Sequence, residues 1–112
     1  MMDAKIEKIV GEVYEAVLKT TDEVLRNCKL FSIEILRLED PSYEEIAEQM
    51  AQLAGLLEVI ANGYPDDAEG FHKAMKASEY ATEVAYIAKA IRSGNDELLA
   101  ELVDKLDGRP RL

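Results

Sequence analysis

Tryptophan is absent from this chain, cysteine and histidine occur once each, and aromatic residues make up only 6% of it. One cysteine, Cys28, excludes an internal disulfide and makes an intracellular setting the default expectation. With His72 as the single histidine, neither a zinc site nor Cys–His catalysis has support. Cys28 falls on an apolar helical stripe with Val24 and Phe31, which reads as a buried structural thiol. No glycine-rich phosphate loop is present. No apolar run approaches the ~20 residues of a membrane span, and the N-terminus lacks the basic-then-apolar pattern of a signal peptide. The expected location is therefore cytoplasmic. Basic residues are also scarce, 13 against 23 acidic, for a formal charge of −10. That balance argues against a nucleic-acid backbone or an anionic membrane as partner. A nucleotide held through a metal ion stays open, because the metal bridges two negative groups.

What is present fits one all-helical domain over residues 1–112. A chain of this length can bury roughly two-thirds of its unfolded surface. With so few aromatics, its core must be aliphatic and alanine-rich. From Asp3 to Leu38 there is no proline, and apolar residues recur in steps of three, four and seven: Ile6, Val10, Val13, Val17, Val24, Cys28, Phe31, Ile35, Leu38. This spacing predicts one long helix, straight or kinked. The alternative is two helices broken at Thr20-Thr21-Asp22, residues that favour caps over interiors. Glu39-Asp40-Pro41-Ser42 punctuates the chain, with Asp40 capping ahead of Pro41 or Ser42 capping with Glu45 in a capping box.

A second helix then runs to about Asn62, stopped by Gly63. Leu56 and Val59 fall off its stripe of Ile46, Met50, Leu53, Leu57 and Ile60. Its C-terminal half is thus apolar nearly all round, which predicts burial on more than one side and an interface shared between subunits. Gly63 to Asp67 reads as a turn and a new N-cap. A third helix, about Ala68 to Arg92, carries two apolar arcs (Tyr80, Val84, Ile87, Ile91; and Phe71, Met75, Tyr86), with Glu79 and Glu83 in the gap between them. A last helix, about Asp96 to Leu106, precedes Asp107-Gly108-Arg109-Pro110. The expected fold class is all-α, a four- or five-helix bundle that forms a homodimer or higher homo-oligomer.

Two groups of carboxylates stand out: Glu44, Glu45 and Glu48 at the start of the second helix, and Glu79 with Glu83 in the third. Acidic residues in a first turn favour the positive end of the helix dipole, which accounts well for Glu44 and Glu45. Glu79 and Glu83 lie mid-helix and repel each other at i,i+4. Lys76 is placed to pair with Glu79, whereas Glu83 has only Glu79, Tyr80, Tyr86 and Ile87 as helical neighbours. Carboxylates on facing helices of a bundle are one way to hold a divalent cation. All-oxygen ligation suits Mg²⁺ or Mn²⁺. His72 reads as a surface residue. Lys73, Lys76, Lys89, Arg92, Arg109 and Arg111 are the cations available to a phosphate, with solvated surface the ordinary role of each.

The arrangement resembles the MazG-like all-α nucleoside triphosphate pyrophosphohydrolases. Glu44-Glu45-Ile46-Ala47-Glu48 is similar to their Glu-Glu-x-x-Glu helix, and Glu79-Tyr80-Ala81-Thr82-Glu83 to their second acidic helix. Asp107-Gly108-Arg109-Pro110 is similar to their closing Arg-Pro segment. Tyr80 stands where the second motif usually has a glutamate, and Glu83 where it usually has an aspartate. The resemblance implies Mg²⁺ (or Mn²⁺) held by Glu45, Glu48, Glu79 and Glu83, with Glu48 and Glu44 as catalytic carboxylates. It also implies cleavage of a nucleotide to a monophosphate and pyrophosphate, for which Lys76, Arg109 and Arg111 are the expected phosphate contacts. Beside that stands a different expectation, a non-catalytic acidic helical domain that dimerises or binds a protein through Leu56, Val59 and their neighbours.

Overall fold

The computed structural model describes residues 4–27, 34–64, 68–110 and 112. Four helices follow in order: α1 (Ala4–Asn27), α2 (Tyr43–Ala61), α3 (Glu69–Ser93) and α4 (Asp96–Asp107). None of them is long and apolar enough to cross a membrane.

The central element is α3, which packs against α2, α1 and α4, whereas α2 and α4 do not touch. Helices α2 and α3 run antiparallel. The Ser78 hydroxyl donates to the Ala54 carbonyl at 2.9 Å, and further along Arg92 pairs with Glu44 at 3.5 Å. Small residues allow this approach: Ala74, Ala77, Ser78, Ala81, Ala85 and Ala88 of α3 are all buried. Larger side chains on that seam would hold the backbones further apart. Between and around them pack Met50, Leu53, Leu57 and Ile60 from α2, and Tyr80, Val84 and Ile87 from α3. The expected alanine-rich aliphatic core is therefore present.

Helix α1 buries Ile9, Val10, Val13, Tyr14, Val17, Leu18, Thr21, Val24 and Leu25 along one face, the period of an amphipathic helix. It runs through Thr20-Thr21-Asp22 without a break. The Thr21 hydroxyl donates back to the Val17 carbonyl at 2.7 Å, so its polar group is satisfied inside the helix while the residue stays buried. The single helix expected to reach Leu38 is not found, because α1 ends at Asn27 and residues 34–38 are non-helical. Asp22 and Arg37 would stand about 22 Å apart on a continuous helix, yet their side chains meet at 2.6 Å. The chain has folded back, and Ile35 and Leu38 keep the helical period only by coincidence. Cys28 and Phe31 lie outside the described residues.

Of the two capping schemes at Pro41-Ser42, the second is present. Ser42 accepts from the Glu45 amide and the Glu45 carboxylate accepts from the Ser42 amide. Asp40 takes a positive φ of 41° just ahead of the turn. Gly94 closes α3 in the left-handed conformation, and Asn95 caps α4 through Leu98. The capping expected at Asp66-Asp67 lies outside the described residues; Ala68, the N-cap of α3, offers no side-chain cap.

Candidate functional site

Glu79 and Glu83 do face a common point, and the C-terminal Arg109 fills it. Its guanidinium donates to the Glu79 carboxylate at 3.0 Å and pairs directly with Glu83. Lys105 of α4 approaches Glu83 at 3.8 Å. The same guanidinium lies over the Tyr80 ring, 4.5 Å from its centroid, and the Tyr80 hydroxyl donates to the Pro110 carbonyl. A mid-helix pair with no convincing local cation is thus served from the other end of the chain. The partner of Glu79 is Arg109 rather than Lys76. Partial burial alone would lower the Arg109 pKa, but the hydrogen bonds to Glu79 and Glu83, with the Glu83 charge, more than offset it and the net direction is up. The second oxygen of Glu83, Oε2, is buried with no hydrogen-bond partner.

Glu44, Glu45 and Glu48 are held elsewhere. Glu44 pairs with Arg92, and Glu45 is engaged in the capping box. Both Glu45 and Glu48 line a groove of about 410 Å³ between α2 and residues 34–38. Glu79 and Glu83 turn toward α4, which α2 does not reach. The four carboxylates expected to share a cation are therefore not brought to one point. Among the described residues, no three of His, Cys, Asp or Glu form a group that could hold a metal ion. As arranged, the residues present do not fit Mg²⁺ or Mn²⁺. Of the expected phosphate contacts, Lys76 is exposed, Arg109 is committed to the carboxylates, and Arg111 lies outside the described residues. His72 is exposed, with its ring edge-on to Phe71 at 5.4 Å.

The groove is the second constructed feature, and the sequence pattern did not reveal it. Its floor is Leu53 and Leu56 of α2 with Ile35 and Leu38 of the opposite wall, and its polar positions are Glu34, Glu45, Glu48, Gln49 and Gln52. The wall of residues 34–38 is tied down on both sides. Arg37 pairs with Asp22 at 2.6 Å and with Glu15 at 3.6 Å. The Gln49 amide donates to the Leu36 carbonyl at 2.6 Å, and Gln49 accepts from the Tyr14 hydroxyl. So anchored, the segment leaves the Leu36 side chain 72% exposed, and further along α2 Val59 is 54% exposed. Nothing in the spacing of Gln49 or Arg37 marks them as wall-holding residues; only the fold-back gives them that role.

Among the described residues the fold is all-α, with four helices, an arginine-closed carboxylate pair and an acid-rimmed apolar groove. No family model, curated protein or solved structure matches the chain.

Proposed function

We propose that this chain is a helical protein-interaction module whose docking face is the groove between α2 and residues 34–38, continued along α2 by Val59. The observation that carries this reading is an apolar floor left open beside a wall that three polar side chains hold in place. Exposed apolar residues scattered singly are ordinary on protein surfaces, but here Leu36 and Val59 are exposed beside a groove with an apolar floor and an acidic rim. The sequence pattern predicts burial of the C-terminal half of α2 on more than one side, whereas Val59 there is 54% exposed.

The test is amide chemical-shift mapping by NMR, first in a dilution series of the protein alone and then with helical peptides of differing charge. Concerted shifts confined to residues 34–38 and the outer face of α2 support the reading. If neither dilution nor any peptide moves those amides, the module reading is wrong.

A second reading, the Mg²⁺-dependent nucleotide pyrophosphohydrolase that the motif resemblance implies, is favoured by one observation. Glu79 and Glu83 already share the Arg109 guanidinium, and the buried Oε2 of Glu83 has no hydrogen-bond partner. It requires Arg109 to leave and a divalent ion to replace it. Thermal unfolding with millimolar Mg²⁺ or Mn²⁺ tests this directly, since a ligand that binds only the folded state raises its stability. A shift lost in Glu83→Gln, together with pyrophosphate release from a nucleotide, supports the hydrolase. No shift and no release exclude it.

A further inference from the structure

We infer that the occupant of the groove is a basic amphipathic helix from a different protein, and not a second copy of this chain. The inference rests on the module reading above and names the partner of that same face.

Charge complementarity carries the argument. Among the described residues, the ionisable groups lining the groove are Glu34, Glu45 and Glu48, with no lysine, arginine or histidine beside them. Over its 19 residues α2 has no basic residue at all. Arg37, the one cation within residues 34–38, is paired with Asp22 and Glu15. Arg92, across from the start of α2, is paired with Glu44.

A two-fold dimer through this face would set the same patch against itself. Glu34, Glu45 and Glu48 of one copy would then face the same acidic set of the other, with no cation among the described lining residues to separate them. Like charges brought together across an interface cost several kcal/mol in specificity. The apolar floor would favour such a dimer and the rim would oppose it. A partner with leucine-like anchors flanked by lysine or arginine satisfies both the floor and the rim.

The dimensions suit a helix. From Glu45 to Leu56 the floor follows α2 for about three turns, or roughly 17 Å. An amphipathic helix lying in such a groove presents anchors at i, i+3 or i+4, and i+7 over the same length. The net charge of −10 acts in the same direction at longer range, drawing a cationic partner in before contact.

The experiment uses the whole chain and three synthetic helix-forming peptides with identical leucine positions, their polar faces lysine-rich, glutamine-rich or glutamate-rich. Binding is read by calorimetry and by chemical shifts, and the oligomeric state by analytical ultracentrifugation. The expected result is a monomer that binds the lysine-rich peptide at residues 34–38 and α2, more weakly as salt is raised. Glu48→Lys and Glu34→Lys should each lower that affinity by about tenfold. Glu101→Lys, an exposed change on α4 with the same effect on net charge, should lower it much less. Exposed charge reversals leave the core untouched, and circular dichroism verifies each variant's fold.

A concentration-dependent dimer mapping to the groove, or equal binding of the glutamine-rich peptide, overturns the inference while leaving the module reading intact. Equal losses in Glu48→Lys and Glu101→Lys also overturn it, because attraction is then to overall charge and not to this groove. If nothing engages the groove, both fall together.

Discussion

Arg109 and Glu83, 26 positions apart, are joined in a direct ion pair that fastens the C-terminal segment across the middle of α3. The Glu83 side chain is 13% exposed and that of Arg109 28%, so this pair is shielded in a way that most surface ion pairs are not. Removing one partner from such a pair leaves the other poorly solvated, which costs more than the pair itself contributes. Arg109→Met should therefore destabilise the fold by about 1–3 kcal/mol. Glu79→Gln, at an exposed carboxylate, should cost under about 1 kcal/mol. In a double-mutant cycle by urea unfolding, Arg109→Met with Glu83→Gln should cost less than the sum of the two single changes. A neutral Arg109→Met would remove the role assigned to the pair.

Gly70 illustrates a different constraint, one of space. A methyl group at this position would stand 2.4–2.8 Å from three ring carbons of Tyr64. The ring is tethered, because the Tyr64 hydroxyl donates to the Val24 carbonyl at the end of α1 at 3.1 Å. Gly70→Ala should therefore destabilise by about 1–3 kcal/mol, as overpacking does, although alanine favours a helix intrinsically. In a Tyr64→Ala background the same substitution should become neutral or stabilising. Thermal unfolding of the four variants gives the sign directly.

Much of the fold was legible because it depends on local rules. Ser42 with Glu45 is a capping box in the sequence and in three dimensions, and the stripe of α2 buries the residues that its spacing implies. What was not legible depends on where the chain returns to itself. The fold-back after α1 places Arg37 on Asp22, and nothing within either residue's own helical window foretells it. The pairing of Arg109 with Glu79 and Glu83 likewise requires knowing that α4 packs on α3 and not on α2. Glu79 and Glu83 were rightly the carboxylates least explained by their own helix. Glu45 was already accounted for by its cap, which left only Glu48 of the first group without a local role. The groove is not legible in the sequence because the helical spacing of apolar residues continues through its far wall, residues 34–38, which is not helical.

Gln49 holds that wall to the body of the protein, accepting from Tyr14 and donating to the Leu36 carbonyl. Gln49→Leu fills similar volume but satisfies neither group. The expected cost is about 1–2 kcal/mol for the two lost hydrogen bonds. The more telling readout is local. Amide hydrogen exchange should quicken across residues 34–38 and change little in the centre of α3, as expected of a segment that opens independently of the core. Uniform acceleration throughout the chain would mean that Gln49 supports the fold as a whole and not the groove wall.

Tyr14 also gives the protein an alkaline limit. Burial pushes its phenol pKa above the ordinary 10.0, and the negative charge of Glu15 adds to the rise. Tyr43 is raised as well, by burial first and then by Glu7. For a raised pKa the folded state holds the proton more tightly than the unfolded chain. The resulting stabilisation is full below the unfolded value of 10.0 and is lost as pH rises through the folded value. Each phenol adds a slope of at most about 1.4 kcal/mol per pH unit across that window. Ionised Tyr14 would also have no proton to donate to Gln49. Urea midpoints should therefore fall as pH is raised above 10.0, and Tyr14→Phe should fall less steeply because one titrating group is gone. The gap between the two proteins is therefore widest at neutral pH. There Tyr14→Phe is the less stable protein by about 1 kcal/mol, the worth of one hydrogen bond. Parallel midpoint curves for the two proteins would show that Tyr14 titrates alike in the folded and unfolded states.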